Sequence, residues 1–554
     1  MREERSSVDR VRFPRRPGRR LAQLLVVAVA ATAVLALGVG SAFASGSYTC
    51  TGVAATDTPG LQALISGGGT VTVFGPLPCV GNWTVPVDVT IVGGSPGATL
   101  NGNATGSVLT ATASGITLTL RNLKVTNGAA AIGGGVDMAC CGNTLNLSNA
   151  VVTANTASEA GGGVFIEEGT INDPASTISN NSAVEGGGIF AIVGTVNVTN
   201  STVVGNTASE VGGGIFAELD VVVNLTGATV SRNSAGIVGG GIGLIEEAFM
   251  TSTASTISSN SAGSLAAADG FPLEGVGGGV FAELADATLT STHVSANTAS
   301  GSGGGIAYED SFLLAIAPPS AAALAGVGGG HFGHPSLPSV QLPKAAVIPA
   351  QPPIGLSPGL NLINSTVDHN TAQVGAGGGI ANESCELDSP VTLTGTTVSI
   401  NRSTGSDLDT DSGGGGYVQY GNDCGGGTTA SLVATNSQFG GNTAKSSVGG
   451  AIFNANFDGG GAALVTLAQT PVMRLPMYLN DNQAGWGGGI FNWGDGANTT
   501  LQAGGHVVHN QAFFNGGGVF NDCDGTLTVA PGALIIFNTP NQVFTNLGPC
   551  LVED

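Results

Sequence analysis

FGGNTAKSSVGGAIF, Phe439 to Phe453, joins two short phrases: an aromatic residue three places before an asparagine, then a glycine pair opening an apolar run. Both phrases recur, slightly altered, along most of the chain. Glycine clusters begin at Gly133, Gly161, Gly186, Gly212, Gly239, Gly277, Gly303, Gly377, Gly414, Gly449, Gly487 and Gly516. The first four spacings are 28, 25, 26 and 27 residues, and later ones lengthen where extra residues intervene. A nearly constant period of this size marks a solenoid, whose units bury their apolar faces only by stacking on one another.

Three places after each cluster begins stands Ile or Val in eleven of twelve units, Tyr417 being the exception, so this column belongs to strands facing a continuous core. One place later seven units carry Phe: Phe165, Phe190, Phe216, Phe281, Phe453, Phe491 and Phe520. Adjacent strand residues face opposite sides. Either this column packs against something outside the core, or the backbone bends and turns it inward. Before each cluster comes the asparagine phrase: VTAN to Asn155, ISNN to Asn181, VVGN to Asn206, VSRN to Asn233, ISSN to Asn260, VSAN to Asn297 and VDHN to Asn370, then FGGN to Asn442 and, less regularly, Asn482, Asn510 and Asn538. Asn suits a left-handed turn, and stacked amides can bond along the axis as a ladder.

In Gly212–Ala235, GGGIFAELDVVVNLTGATVSRNSA, a strand GGGIFAE leads to VVVNLT, then TVSRN and the Asn turn. Three short strands per unit predict an all-β fold: a single-stranded right-handed parallel β-helix, the right hand being the usual one for crossovers. About 12–15 coils at about 4.8 Å each give a rod on the order of 70 Å long. Residues 45–124, with TVTVF, DVTIVGG and GITLTLRNLKV, are expected to form an N-terminal cap and the first coils; 125–541 form the repeat domain and 542–554 a tail or cap. Residues 310–360 break the period with nine prolines, which cannot supply ladder hydrogen bonds. This stretch is a loop insertion, either merely tolerated or used in recognition.

Arg15, Arg16, Arg19 and Arg20 precede an apolar run from Leu21 to Val39, closed by Ala42-Phe43-Ala44. That is the pattern of a signal peptide over 1–44, with a retained membrane anchor as the alternative. The expectation is a secreted or cell-surface protein with no integral membrane domain after cleavage. Residues 1–44 carry eight of the 15 basic and three of the 37 acidic residues, leaving seven and 34, a net charge of −27. So acidic a chain argues against nucleic acid and anionic membranes as partners.

The literal FGGN…GGAI of Phe439–Ile452 resembles the paired FxxN and GGA[ILV] repeats of polymorphic outer membrane proteins. The resemblance covers roughly Val125 to Asn541, where other units carry GGG[IV] and an aliphatic residue in place of Phe. It implies a passenger-type, pectate-lyase-like β-helix with an adhesin-like role. Members of that family end in a membrane β-barrel, whereas only 35 residues follow Val519 here.

β-Helices also carry polysaccharide lyases and hydrolases, whose sites need converging carboxylates. The densest acidic run is Asp407, Asp409 and Asp411, with Arg402 nearby; it is either a solvated loop or a calcium or carbohydrate site. Six places after the cluster start in five of the units stand Glu167, Glu218, Glu283, Glu309 and Glu383, an acidic ridge that is either hydrated or weakly stabilised by calcium. No other cofactor is indicated. His331-x-x-His334 and His506-x-x-His509 lie outside any helix that would align them. Eight cysteines in an exported chain favour disulfides, and coil register suggests Cys385–Cys424. Cys50–Cys79 and Cys523–Cys550 would then tie the two ends, with Cys140 and Cys141 left over as a strained vicinal pair or free thiols. No catalytic constellation is recognised. The expectation is an adhesin-like or structural solenoid meeting cell-surface glycans or proteins of a host or neighbour; the alternative is a polysaccharide-binding or polysaccharide-cleaving β-helix.

Overall fold

The computed structural model describes residues 45–139, 141–266, 272–309, 359–384, 387–405, 413–421, 427–456, 461–470 and 476–546. Among them are 57 strands and one α-helix. The strands form sheets of 28, 15 and 12 members, plus a two-stranded hairpin that holds the one antiparallel pairing. Each coil visits the three large sheets in turn. In one coil, Ile215–Thr226 lies in the 28-stranded sheet, Thr229–Ser231 in the 15-stranded and Ser234–Ala235 in the 12-stranded. Each pairs in parallel with its equivalent in the next coil: Ile215 with Ile242, Val222 with Phe249, Thr229 with Thr256 and Ser234 with Ser261. This is the pairing of a parallel β-helix.

The strand boundaries within a coil differ from those read in the sequence. IFAE and VVVNLT belong to one sheet, continuous over Ile215–Thr226. Leu219 and Asp220, between them, take positive φ and bend the strand without sending it to another face. The third face is supplied by the two residues after the asparagine.

Asparagine builds the corner between the second and third faces. From Asn155 to Asn510, each Nδ2 donates to the next coil's Asn Oδ1 at 2.8–3.1 Å, and the backbone N–H shares that acceptor. Each Nδ2 also donates to a carbonyl one coil back, as Asn206 does to Ile178. The side chains are buried yet satisfied, so the amides cost no unpaired polar group. Asn401, absent from the repeat phrases read above, is a full member between Asn370 and Asn442. The asparagines themselves are not left-handed. Positive φ falls on the residue before each: Ala154, Asn180, Arg232, Ser259, His369 and even Ile400. The amide must point inward to stack, so the turn's strain passes to an outward neighbour.

Within each cluster, the first glycine has positive φ throughout, from Gly133 at 55° to Gly516 at 66°. The second is excluded from bearing a side chain by close stacking: a Cβ on Gly162 would lie 2.4 Å from the Ser182 carbonyl oxygen.

The N-terminal end is closed by α1, Ala54–Ile65, which the sequence reading did not anticipate. It buries Leu61 and Ile65 on the core. Asp57 fixes it, accepting from the Thr51 and Gly52 amides, the Thr51 hydroxyl and the Val80 amide. Burial alone would raise its pKa, but these bonds lower it on balance. Cys50–Cys79 form a disulfide beside this cap, as expected. Cys523 is also disulfide-bonded, while Cys140, Cys385, Cys424 and Cys550 lie outside the described residues.

Candidate functional site

The outer face of the 28-stranded sheet resolves the phenylalanine question. Phe165, Phe190 and Phe216 stand in direct register, as do Phe453, Phe491 and Phe520. They point away from the main core and form two separate clusters, with Ala160, Val211 and Val238 in one and Val448 in the other. The residues just before each glycine cluster therefore fold over the Phe column and make a second, external core. Phe190 and Phe216 stack with centroids 5.0 Å apart, and Phe491 and Phe520 at 5.1 Å.

The acidic ridge lies on this same face, two places along. Register runs Glu167, Ile192, Glu218, Ile245, Glu283, Glu309, Glu383, so all five predicted glutamates share one column, interrupted twice by Ile. A uniformly hydrated ridge is not what forms. Glu218 is 6% exposed and Glu309 5%. Among the described residues no three acidic, His or Cys side chains converge closely enough to hold a metal ion.

Sequence reasoning missed three further glutamates that join the column from the covering segments: Glu159, Glu185 and Glu210. Their signal was present in SEAG, VEGG and SEVG, an acid shortly before the glycines in three consecutive units. Burial, then the charges of Glu218, Glu210 and Glu159, push the Glu185 carboxyl up to about 8. Burial, then Glu246, pushes Glu218 up to about 7. Burial also raises Glu210, and burial with Glu168 raises Glu167. Asp137, which pairs with Phe165, rises to about 6 by burial, against a bond from the Ala139 amide. Among the described residues, the ion pairs that are seen join Asp368 to His293 and His369.

Beyond the ridge, the bend between the two halves of the long strands lines a cavity of about 740 Å³. Asp220, Glu246, Glu247, Asp286, Glu309 and Asp388 border it, together with Leu219, Leu284, Leu387 and Tyr308. Asp286 accepts from the Gly359 amide at 2.6 Å, and burial raises its pKa against that bond. The strands Ile306–Glu309 and Leu360–Ile363 flank residues 310–358, the expected loop insertion, which lie outside the described residues.

Asp407, Asp409 and Asp411, with His331 and His334, lie outside the described residues. Arg402 sits in the 12-stranded sheet, paired with Thr371 and Thr443, and does not line the cavity. His506 packs on Tyr478 and His509 on Phe537, each against a different neighbour. No protein-family model, curated protein or solved structure matches the chain.

Proposed function

We propose that this protein is an extracellular β-solenoid with an adhesin-like or structural role, engaging glycans or proteins of a neighbouring surface through the acidic outer face and the bend beside it. The observation that supports the reading most is the division of labour around the coil. The Asn corner and the sheets repeat in strict register, while the bend within the long strands is bordered by Asp220, Glu246, Glu247, Asp286, Glu309 and Asp388. A rigid repetitive body that carries polar side chains along one bend is suited to display. The signal-peptide pattern and the FxxN/GGA[ILV] resemblance support the extracellular setting.

A second reading, polysaccharide binding or cleavage, draws support from the carboxylate-lined cavity beside Tyr308. Against cleavage stands the lack of a basic side chain among the described residues that line that cavity. Arraying residues 45–554 against glycans and surface proteins, with a reducing-sugar release assay alongside, tests both. Saturable retention without sugar release supports the first reading. Release that disappears in Asp286→Asn or Glu309→Gln replaces it with the second, and an absence of binding to every surface tried removes the adhesive role.

A further inference from the structure

We infer that the chain cuts its own backbone between Asp173 and Pro174, the Asp173 carboxyl attacking its own carbonyl carbon while Ser201 holds the carbonyl oxygen. The inference holds whether or not the protein is adhesive. Asp173–Pro174 is the one Asp–Pro bond in the chain, and it ends the long strand Val164–Pro174 just before the 15-stranded sheet begins at Thr177. The Asp173 side chain is 1% exposed and follows the inward alternation of Ile171, level with Val198 of the main core. Among the described residues neither of its carboxyl oxygens meets a hydrogen-bond partner. A carboxyl buried in this way destabilises the fold, so its presence needs a reason other than stability.

The carbonyl under attack is held in place. Ser201, one coil on, donates its hydroxyl to the buried Asp173 carbonyl oxygen at 2.7 Å, with a longer contact of 3.1 Å to the Thr199 carbonyl. The Ser176 amide donates to the Ser201 oxygen at 2.9 Å and fixes it there. Hydroxyls at the same corner in later coils reach their carbonyls at 2.9–3.1 Å, so the Asp173 bond is shorter than theirs. A donor in that position stabilises the negative charge that develops on oxygen as the carbon becomes tetrahedral. Pro174 and Ala175 are exposed, which gives water a path to the broken bond.

The chemistry needs only water. A carboxyl oxygen bonds to the Asp173 carbonyl carbon and closes a five-membered cyclic anhydride. The C–N bond to Pro174 breaks, and the nitrogen leaves with the carboxyl's own proton. One water then opens the anhydride, leaving Asp173 as a new C-terminus and Pro174 as a new N-terminus. Attack from within one residue has the rate advantage of a tethered reactant. The proline nitrogen, part of a tertiary amide, takes a proton more readily than an ordinary peptide nitrogen. Burial raises the carboxyl's pKa to about 6; the nearby Ser176 and Ser201 hydroxyls oppose the shift and no charged side chain contributes to it. The proton that the departing nitrogen needs is therefore present in mild acid. The pieces stay together after the cut, because Thr177–Ser179 pairs with Val151–Thr153 and Ile189–Thr199 with Val164–Pro174.

The test is incubation of the purified chain at 37 °C at pH 5 and pH 8, followed by denaturation and intact-mass measurement. At pH 5 the folded chain is expected to yield fragments ending at Asp173 and beginning at Pro174, about tenfold faster than at pH 8 and faster than the same chain unfolded in urea at pH 5. Pro174→Thr, which copies Thr199 of the next coil, and Asp173→Val, which copies Val198, are expected to fold and to stay whole. Ser201→Ala, which copies Ala228, is expected to keep its fold by thermal melt and to cleave slower by on the order of a hundredfold. No fragments at pH 5 over a week, a rate no faster than in urea, or an undiminished rate in Pro174→Thr or Ser201→Ala overturns the inference.

Discussion

At the scale of single residues, stability rests on amides that are buried only because their neighbours one coil away are also amides. Asn260 accepts from both the side chain and the backbone of Asn233, and donates to Asn297 and to the Val230 carbonyl. Asn260→Ala leaves donors of Asn233 and the Val230 carbonyl unmet, and is expected to destabilise by about 3 kcal/mol in denaturant titration. Ile400 is the converse case. It is 53% exposed and held at φ 56°, a strained conformation for a β-branched side chain. Ile400→Asn is expected to stabilise by about 1 kcal/mol in the same assay, since Asn tolerates that region and little packing is lost. Asn401 shows why some of this was hidden in the sequence. VSIN stands in plain view, but Gly414 comes thirteen places after Asn401, where the first four units from Asn155 have five or six. Extra residues after the corner disguise a rung that is otherwise regular.

Among the elements, the glycine clusters and Ile/Val columns were readable because one backbone requirement recurs at each of them. The partition of the coil was not. LDV at Leu219–Val221 bends the strand within one sheet, and nothing in those letters distinguishes a bend from a corner. The direction of the Phe column was likewise unreadable alone, because it depends on residues such as Val211 and Val238 folding back from a different sheet. The candidate site was half visible: the five ridge glutamates follow from the period, whereas their burial follows from that fold-back. The inner side of the same strands also changes character along the rod. Met138, Ile166, Ala191 and Leu244 give way to Asn382, Gln419, Asn454, Asn492 and Asn521. From Gln419 onward these amides are hydrogen-bonded in series. The acids set a pH dependence. Glu185, Glu218, Asp137 and Asp173, the last pointing into the core beside Val198, all have pKa values raised by burial. The folded chain therefore holds protons that the unfolded chain releases near pH 4. Their stabilisation is full below that point and is lost as pH rises through 6 to 8. Asp57, shifted downward, contributes stability that is full above about pH 4 and is lost only as pH falls below it, so it does not alter the comparison of pH 5 with pH 8. Tm is expected to be higher at pH 5 than at pH 8, and a rise toward pH 8 would contradict this assignment of the buried acids.

For the whole molecule, everything depends on each coil lying directly over the last. Thr177 and Gln438 are 261 residues apart, yet pairing through Thr202, Thr229, Thr256, His293, Thr366 and Thr397 puts them seven rungs apart on one outer column. Spin labels placed there through non-cysteine chemistry, and read by pulsed dipolar spectroscopy, measure that stack directly. The parallel β-helix predicts a single narrow distribution centred near 34 Å, seven strand spacings of about 4.8 Å. A broad distribution, or a narrow one far from that value, would contradict it.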